Sequence, residues 1–444
     1  MLILKQSLFS RFRRDRRGNI SVMFSLALLP MIGFIGAAVD YSRAAMVRSR
    51  LQGAIDATAL KLTRDGSTLS NADITTMANR FFLAVLDTTD LVSAPTLTVS
   101  RSSTGVQLSA AASINTSFMK AVGFDTLDVG IGATSVFDNS KIELALVLDN
   151  TGSMAQSGKM TALKDALTNS KTGVLTQIKA MDPTGTRVKV AIVPFDTQVN
   201  VGSGYQTKVN GKYTYPNWLG FSDLPGFAPK TDPKGMAVAD VNSSWAGCIS
   251  DRAEPYNTDL YPPAISIQNT RYPAWQCDTI DSYTKKPVLG KIQPLTNDQT
   301  ALTNAVNAMT PSGNTNVAIG FHWGLRMLEN GTTPLGLGVT FGTPDVKKYI
   351  VLLTDGDNTQ DRYTTSQNQI DSRTQSVCNT IKATGNVTVF TVRVIEGNAA
   401  LLQACASTPT ASIPQTYFEV KSSSGISDAL NTILKQITGI RLTS

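Results

Sequence analysis

Histidine is almost absent from this sequence: His322 is the only one in 444 residues. Cysteine is scarce too, at Cys248, Cys277, Cys378 and Cys405, and no two of them form a C-x-x-C pair. Zinc needs clustered thiolates and imidazoles, and a serine or cysteine nucleophile needs a nearby base, so neither chemistry is expected here. Charged residues make up only 16% of the chain, and the formal charge of +7 owes much to Arg11, Arg13, Arg14, Arg16 and Arg17, opposed locally by Asp15 alone. The remainder is close to balanced. No later stretch interleaves basic and aromatic residues, so nucleic acid is not an expected partner. With 42% hydrophobic residues the chain has the material for two or three buried cores rather than for disorder.

What the sequence does have is a long uncharged run, ISVMFSLALLPMIGFIGAAV, from Ile20 to Val39. As a helix rising ~1.5 Å per residue it would extend about 30 Å, the thickness of a bilayer core. The arginine cluster precedes the run, whereas Asp40 and the sparser Arg43, Arg48 and Arg50 follow it. This asymmetry places residues 1–19 in the cytoplasm and the bulk of the chain outside, with 20–39 as a retained anchor rather than a cleaved signal. Pro30 is a candidate bend, and Gly33 with Ala37 forms a small-xxx-small face. Val47, Leu51, Ile55, Ala59 and Leu62 then recur at steps of three and four, which predicts an amphipathic stalk helix over 40–65.

The segment RRDRRGNISVMFSLALLPMIGFIGAAVDYSRAAMVRSRLQGAIDATAL resembles the amino-terminal part of TadG-like proteins of the tight-adherence (Tad/Flp) pilus-assembly systems. The pattern is a basic stretch, a glycine, an apolar span and a helix reading V-D-Y then L-Q-x-A-x-D-A-x-A-L. It departs from prepilins at Met23, the fifth residue after Gly18, where those proteins carry glutamate. The resemblance implies a single-pass protein of the bacterial inner membrane with a periplasmic body, whose partners are other pilus-assembly or envelope proteins.

Residues 66–138 read as a small α+β unit. A helical stretch near Ala72–Leu86 precedes alternating runs at Thr96–Ser100, Gly105–Ala111 and Leu127–Val136. From 139 to 444 the pattern changes to short β-branched runs, IELALVLD, VKVAIVPF, YIVLLTD and VTVFTVRVI, separated by helical stretches, the first expected from Lys159 to Ile178. That alternation predicts an α/β fold with a doubly wound, mostly parallel sheet, whose ligand sites lie beyond the carboxyl ends of the strands.

Two strand ends carry chemistry. One reads Asp149-Asn150-Thr151-Gly152-Ser153 and the other Thr354-Asp355-Gly356; between them Ser312-Gly313-Asn314-Thr315-Asn316 opens a helix. Alternate residues of an extended loop point the same way, so Asp149, Thr151 and Ser153 aim three oxygens at one place, as a small hard cation requires. The set resembles the metal-ion-dependent adhesion site of the von Willebrand factor A family, D-x-S-x-S with a distant threonine and a distant aspartate. The resemblance implies a Rossmann-like fold and a Mg2+ (or Mn2+ or Ca2+) site formed by Asp149, Thr151, Ser153, Thr315 and Asp355, with Thr151 in the place of the usual serine. It also implies a binding module rather than an enzyme, in which the metal's open position takes a carboxylate from a partner protein.

Residues 202–295 exceed a minimal domain of this kind. They are rich in Gly, Pro, Tyr and Trp and read as an insertion, either a binding surface or a plain loop. Asp355, Asp357 and Thr359 also match the D-x-D-x-T of haloacid-dehalogenase-like phosphatases, and Asp149 to Ser153 resembles the D-K-T-G-T of P-type pumps without its lysine. An exported hydrolase using Asp355 or Asp149 is therefore the alternative. His322 is expected as a packed or solvated side chain. Export implies oxidation of the cysteines, and of three connectivities the sequence-local pairs Cys248–Cys277 and Cys378–Cys405 are predicted.

Overall fold

The computed structural model describes residues 19–65, 71–88, 91–101, 105–136, 140–224, 228–331 and 333–438. The arginine cluster read as cytoplasmic lies outside them. The chain divides into two compact units, residues 1–139 and 140–444.

In the first unit a 47-residue helix, α1 (Asn19–Asp65), combines the expected span and stalk without interruption at Pro30. It is the one helix among the described residues long and apolar enough to cross a bilayer, by length and composition. Its two halves treat apolar side chains in opposite ways. Phe24, Met31, Phe34 and Ile35 are exposed, whereas Val47, Leu51, Ile55, Ala59 and Leu62 are buried. The buried stripe packs with Ile74, Ala78 and Phe82 of α2 (Asn71–Val85) and with one face of an antiparallel sheet in the order β1 (Thr96–Arg101), β2 (Gly105–Asn115), β3 (Thr126–Val136). Along β2 the alternation is strict: Val106, Leu108, Ala110, Ala112 and Ile114 point into this core.

The second unit is built on a six-stranded sheet in the order β12-β5-β4-β13-β14-β15. Its strands are β4 (Lys141–Asp149), β5 (Val188–Phe195), β12 (Gln293–Thr296), β13 (Val346–Thr354), β14 (Val387–Val394) and β15 (Tyr417–Val420). All pairings are parallel except that of β12 with β5. The central β4 is buried from Ile142 to Asp149, which is why its sequence is apolar without alternation. One face carries α3 (Lys159–Thr168), α4 (Val174–Met181), α5 (Gln299–Asn307) and α9 (Gly425–Thr438); the other carries α6 (Val317–Leu328), α7 (Gln367–Ala383) and α8 (Ala399–Cys405).

The single helix expected from Lys159 to Ile178 is two. Asn169 ends the first by accepting hydrogen bonds on Oδ1 from the amides of Lys171 and Thr172. Gly173 starts the second in a spot so tight that a Cβ would stand 2.6 Å from the backbone of Asn169. The two stretches share one apolar face, which is why periodicity alone joined them.

The insertion, whose last residues belong to β12 of the main sheet, folds on a small sheet begun by β6 (Val199–Asn200) just before it and continued by β10 (Cys248–Ile249), β11 (Tyr272–Trp275) and β9 (Leu219–Gly220), in that order, with a hairpin of β7 (Thr207–Val209) and β8 (Lys212–Thr214). Its tryptophans, Trp218, Trp245 and Trp275, are buried rather than displayed as a binding surface. Trp218, Trp245 and Tyr272 fill the space over α6, with the Tyr272 ring 4.8 Å from that of Trp323, while Trp275 packs with Val238 in a separate small cluster. His322 is packed there. Its Nε2 stands 2.8 Å from the Tyr272 hydroxyl and accepts from Arg326 Nε at 3.2 Å, while burial, with Arg326 and Arg252 beside it, holds it well below the ordinary imidazole range.

Disulfides join Cys248 to Cys277 and Cys378 to Cys405, each with Cα atoms 5.2 Å apart. The first ties β10 to the segment after β11, the second ties α7 to α8.

Candidate metal centre

Parallel strands end on one edge of the sheet, and β4 and β13 are neighbours there. Asp149 is the last residue of β4, and Asp355 follows the last residue of β13, so topology alone brings two carboxylates together. Both are fully buried. Asp149 Oδ1 accepts from the Thr151 amide at 2.8 Å and the Thr151 hydroxyl at 2.6 Å, and Oδ2 accepts from the Thr354 hydroxyl at 2.6 Å. The Ser153 hydroxyl donates to Asp355 Oδ1 at 2.7 Å.

A hydroxyl carries one proton. Thr151 donates its proton to Asp149 and Ser153 donates its proton to Asp355, yet the two hydroxyl oxygens stand 3.0 Å apart. Each hydroxyl that donates to its carboxylate has no second proton to give the other. Burial pushes the Asp149 carboxyl up to about 6, with the charge of Asp355 adding to the rise and the hydrogen bonds from Thr151 and Thr354 opposing it. The arrangement is short of positive charge.

Thr315 arrives from the loop before α6. Asn316, not Thr315, caps that helix, accepting from the Ile319 amide at 3.4 Å. The loop is tied to the Asp149 segment by Gly152 N to Gly313 O at 3.1 Å and Ser312 N to Asn150 O at 2.8 Å. It is tied to the Asp355 segment by Thr315 N to Thr359 Oγ1 at 2.9 Å. A Cβ placed on Gly356 would stand 3.4 Å from Ser153 Oγ and 3.5 Å from Thr315 Oγ1, so these two hydroxyls flank one small space that glycine leaves open. All five predicted residues thus gather at one end of the sheet.

Two participants were not anticipated. Thr354 orients Asp149 from the neighbouring strand. Lys159 forms a buried ion pair with Asp355 Oδ2. It reaches the site because Ser157 and Gly158, at φ 53° and 68°, turn the chain so that α3 begins against the loop.

Asp149 is fully buried, with two hydrogen bonds accepted on Oδ1 and one on Oδ2. Asp355 is likewise engaged by Ser153 and Lys159, and Thr359 serves the Thr315 backbone. Among the described residues no group of three or more His, Cys, Asp or Glu side chains stands ready for a metal, so any ion here depends on hydroxyls.

Residues 18–60 match the family model described as putative Flp pilus-assembly TadE/G-like, and residues 290–432 match that of the von Willebrand factor type A domain. The chain therefore carries a TadE/G-like segment and a von Willebrand factor A domain, with the α/β fold described above. Thr315 and Asp355 lie inside the second match, whereas Asp149, Thr151 and Ser153 precede it. A search of curated proteins found no match.

Among solved structures, the pilus adhesin SpaC from Lactobacillus rhamnosus GG is 14% identical, with 78% of this chain and 34% of that chain covered and a TM-score of 0.36. This chain thus spans about a third of that adhesin's length. The vWF domain of the type V pili tip protein Mfa5 from Porphyromonas gingivalis is 10% identical, covering 69% of this chain and 98% of that one at a TM-score of 0.35. The PilB minor pilin from Streptococcus sanguinis is 11% identical, with 78% of each chain covered and a TM-score of 0.34.

Proposed function

We propose that this chain is a membrane-anchored, exported component of a pilus-assembly or adhesion apparatus whose von Willebrand factor A domain binds a divalent cation, Mg2+ or in its place Mn2+ or Ca2+. Thr151, Ser153 and Thr315 would hold the ion by their hydroxyls, with Asp149 and Asp355 supplying the negative charge. Bound there, such an ion offers an electrophilic position to a carboxylate of a partner protein. The protein is a binding module in this reading, and its partners are other pilus-assembly or envelope proteins.

The observation that carries the reading is the 3.0 Å approach of Thr151 Oγ1 and Ser153 Oγ, each also within hydrogen-bond distance of a buried carboxylate. Neighbouring ligands of an ion held at about 2.0–2.1 Å stand about 2.9 Å apart. The contacts Thr151–Ser153 at 3.0 Å and Ser153–Asp355 at 2.7 Å bracket that spacing. Two carboxylates against the one ammonium of Lys159 leave a net negative charge, and desolvation makes that charge costly unless a cation offsets it. The donor set thus fits the ion.

Anchoring rests on the exposed apolar half of α1, and export on the cysteines and the direction of the arginine cluster. Titration of the purified chain with Mg2+ in a calorimeter tests the metal. Heat is expected for the wild type and none for Asp149→Ala, whose circular dichroism should be unchanged. A wild-type protein giving no heat with Mg2+, Mn2+ or Ca2+ would remove the metal from the account.

A further inference from the structure

We propose that the turn from Ser117 to Phe124 in the amino-terminal unit is a membrane-interface wedge, with Phe118 and Phe124 seated in the headgroup–acyl boundary of the bilayer that α1 crosses. The inference rests on the anchor reading of α1 and adds a second membrane contact to it.

Depth comes first. Gly36 belongs to the uncharged run, three residues before its end at Val39, hence about 4.5 Å inside that end along the helix. Phe118 lies directly on it: a methyl built on Gly36 would overlap Phe118 Cβ and stand 2.7 Å from its Cγ. Whatever surrounds that part of α1 therefore surrounds Phe118 as well.

Apolar exposure is the second observation. Phe118 is 48% exposed and Phe124 59%, both on one short turn, and Tyr41, next to the end of the run, is 73% exposed. Aromatic rings at this level form the interfacial belt of membrane proteins. Lys120 projects from the same turn, its exposed ammonium 4.0 Å from Asp125 Oδ1, with a long stem able to lie among acyl chains.

The third is the turn's polar groups, because lipid tolerates backbone only where its N–H groups are satisfied. Asp40, 1% exposed, accepts from the amides of Ser117 at 2.9 Å and of Phe118 and Met119 at 2.8 Å. The Thr116 hydroxyl donates to the Phe124 carbonyl. The amides of Ala121, Gly123 and Phe124 turn back onto Phe118, Lys120 and Met119 at 3.1 Å each.

All four native cysteines are in disulfides, so an introduced cysteine is the single free thiol for a nitroxide label. The full chain would be reconstituted into phosphatidylethanolamine–phosphatidylglycerol vesicles with labels at Phe118→Cys, Phe124→Cys, Phe34→Cys within the run and Ala72→Cys at the start of α2. A cysteine keeps the Cβ that meets Gly36. Power saturation with oxygen and with a nickel chelate should give 118 and 124 an oxygen-over-nickel ratio about threefold or more above that at 72, approaching that at 34. A lipid ratio at 34 with nickel access at 118 and 124 would overturn the wedge and spare the anchor. Exclusion of both reagents at 118 and 124 would mean that protein covers the turn, which also overturns it. Nickel access at 34 would overturn the anchor and the wedge together.

Discussion

Lys159 holds Asp355 in a buried ion pair, so one of the two carboxylates at the sheet edge already has a cation of its own. The lysine and a bound divalent ion would compete for the same negative charge. Replacing it by methionine, of similar length, should therefore have opposite effects with and without metal. Metal-free Lys159→Met should lose about 3–5 kcal/mol, the usual result of leaving one partner of a buried pair alone. Its Mg2+ affinity should rise by about tenfold or more, since a full positive charge has left the site. Calorimetry and chemical denaturation measure the two, and an unchanged or weaker affinity would show that the lysine supports the ion instead.

Proton competition gives a second expectation. The folded-state pKa of Asp149 is raised to about 6, above the ordinary value, so the stability that its protonated form contributes is present at low pH and lost as pH rises through about 6. A bound metal would need the carboxylate and would restore stability on the other side. The gain in melting temperature from saturating Mg2+ should be small at pH 5 and grow towards pH 7.5. Asp251, raised to about 7 by burial and the neighbouring Asp361, shifts both curves alike and cancels in the difference. A gain that is flat with pH would contradict the role given to Asp149.

Asp40 accepts three amide hydrogen bonds from a turn 77 to 79 residues away. Asp40→Ala should unpair all three and cost the amino-terminal unit about 2–4 kcal/mol. Hydrogen exchange should lose its protection first at 117–119, with the carboxy-terminal unit unaffected.

Each disulfide closes a loop of just under thirty residues, with separations of 29 and 27. On chain-entropy grounds, removing either by a double alanine substitution should lower stability by about 3–4 kcal/mol. Digestion without reduction, followed by mass spectrometry, should recover the peptides as the pairs 248–277 and 378–405; four free thiols would contradict both the pairing and the exported compartment.

Much of the architecture was legible because a few physical signals are strong. β4, β5, β13 and β14 announce themselves by unbroken β-branched runs, and a parallel sheet then puts Asp149 and Asp355 at one edge without further information. Lys159 was not legible: nothing local says that a lysine in a helix's first turn points back into the preceding loop. Asp40 was visible within the V-D-Y pattern, but its partners belong to the far end of the small sheet. The break at Asn169 carried turn signals in Asn169 and Gly173, and these were outweighed by a continuing apolar period. The buried tryptophans of the insertion show the limit of composition, which counts aromatic rings without saying what they cover.

All twelve residues of α6 are buried, and two of them, Gly320 and Gly324, lie one turn apart against β4 and β5. A Cβ at Gly324 would stand 2.5 Å from Val147, and one at Gly320 would stand 2.8 Å from Phe195. The helix is keyed into the sheet like a shaft into a slot. Sliding it by one turn, about 5.4 Å, would bring Leu328 onto Val147 in one direction and Asn316 onto Phe195 in the other. The loop carrying Thr315 at its head thus has no free travel, so tension on anything gripped there would pass straight into the packed sheet instead of being absorbed by play in the helix.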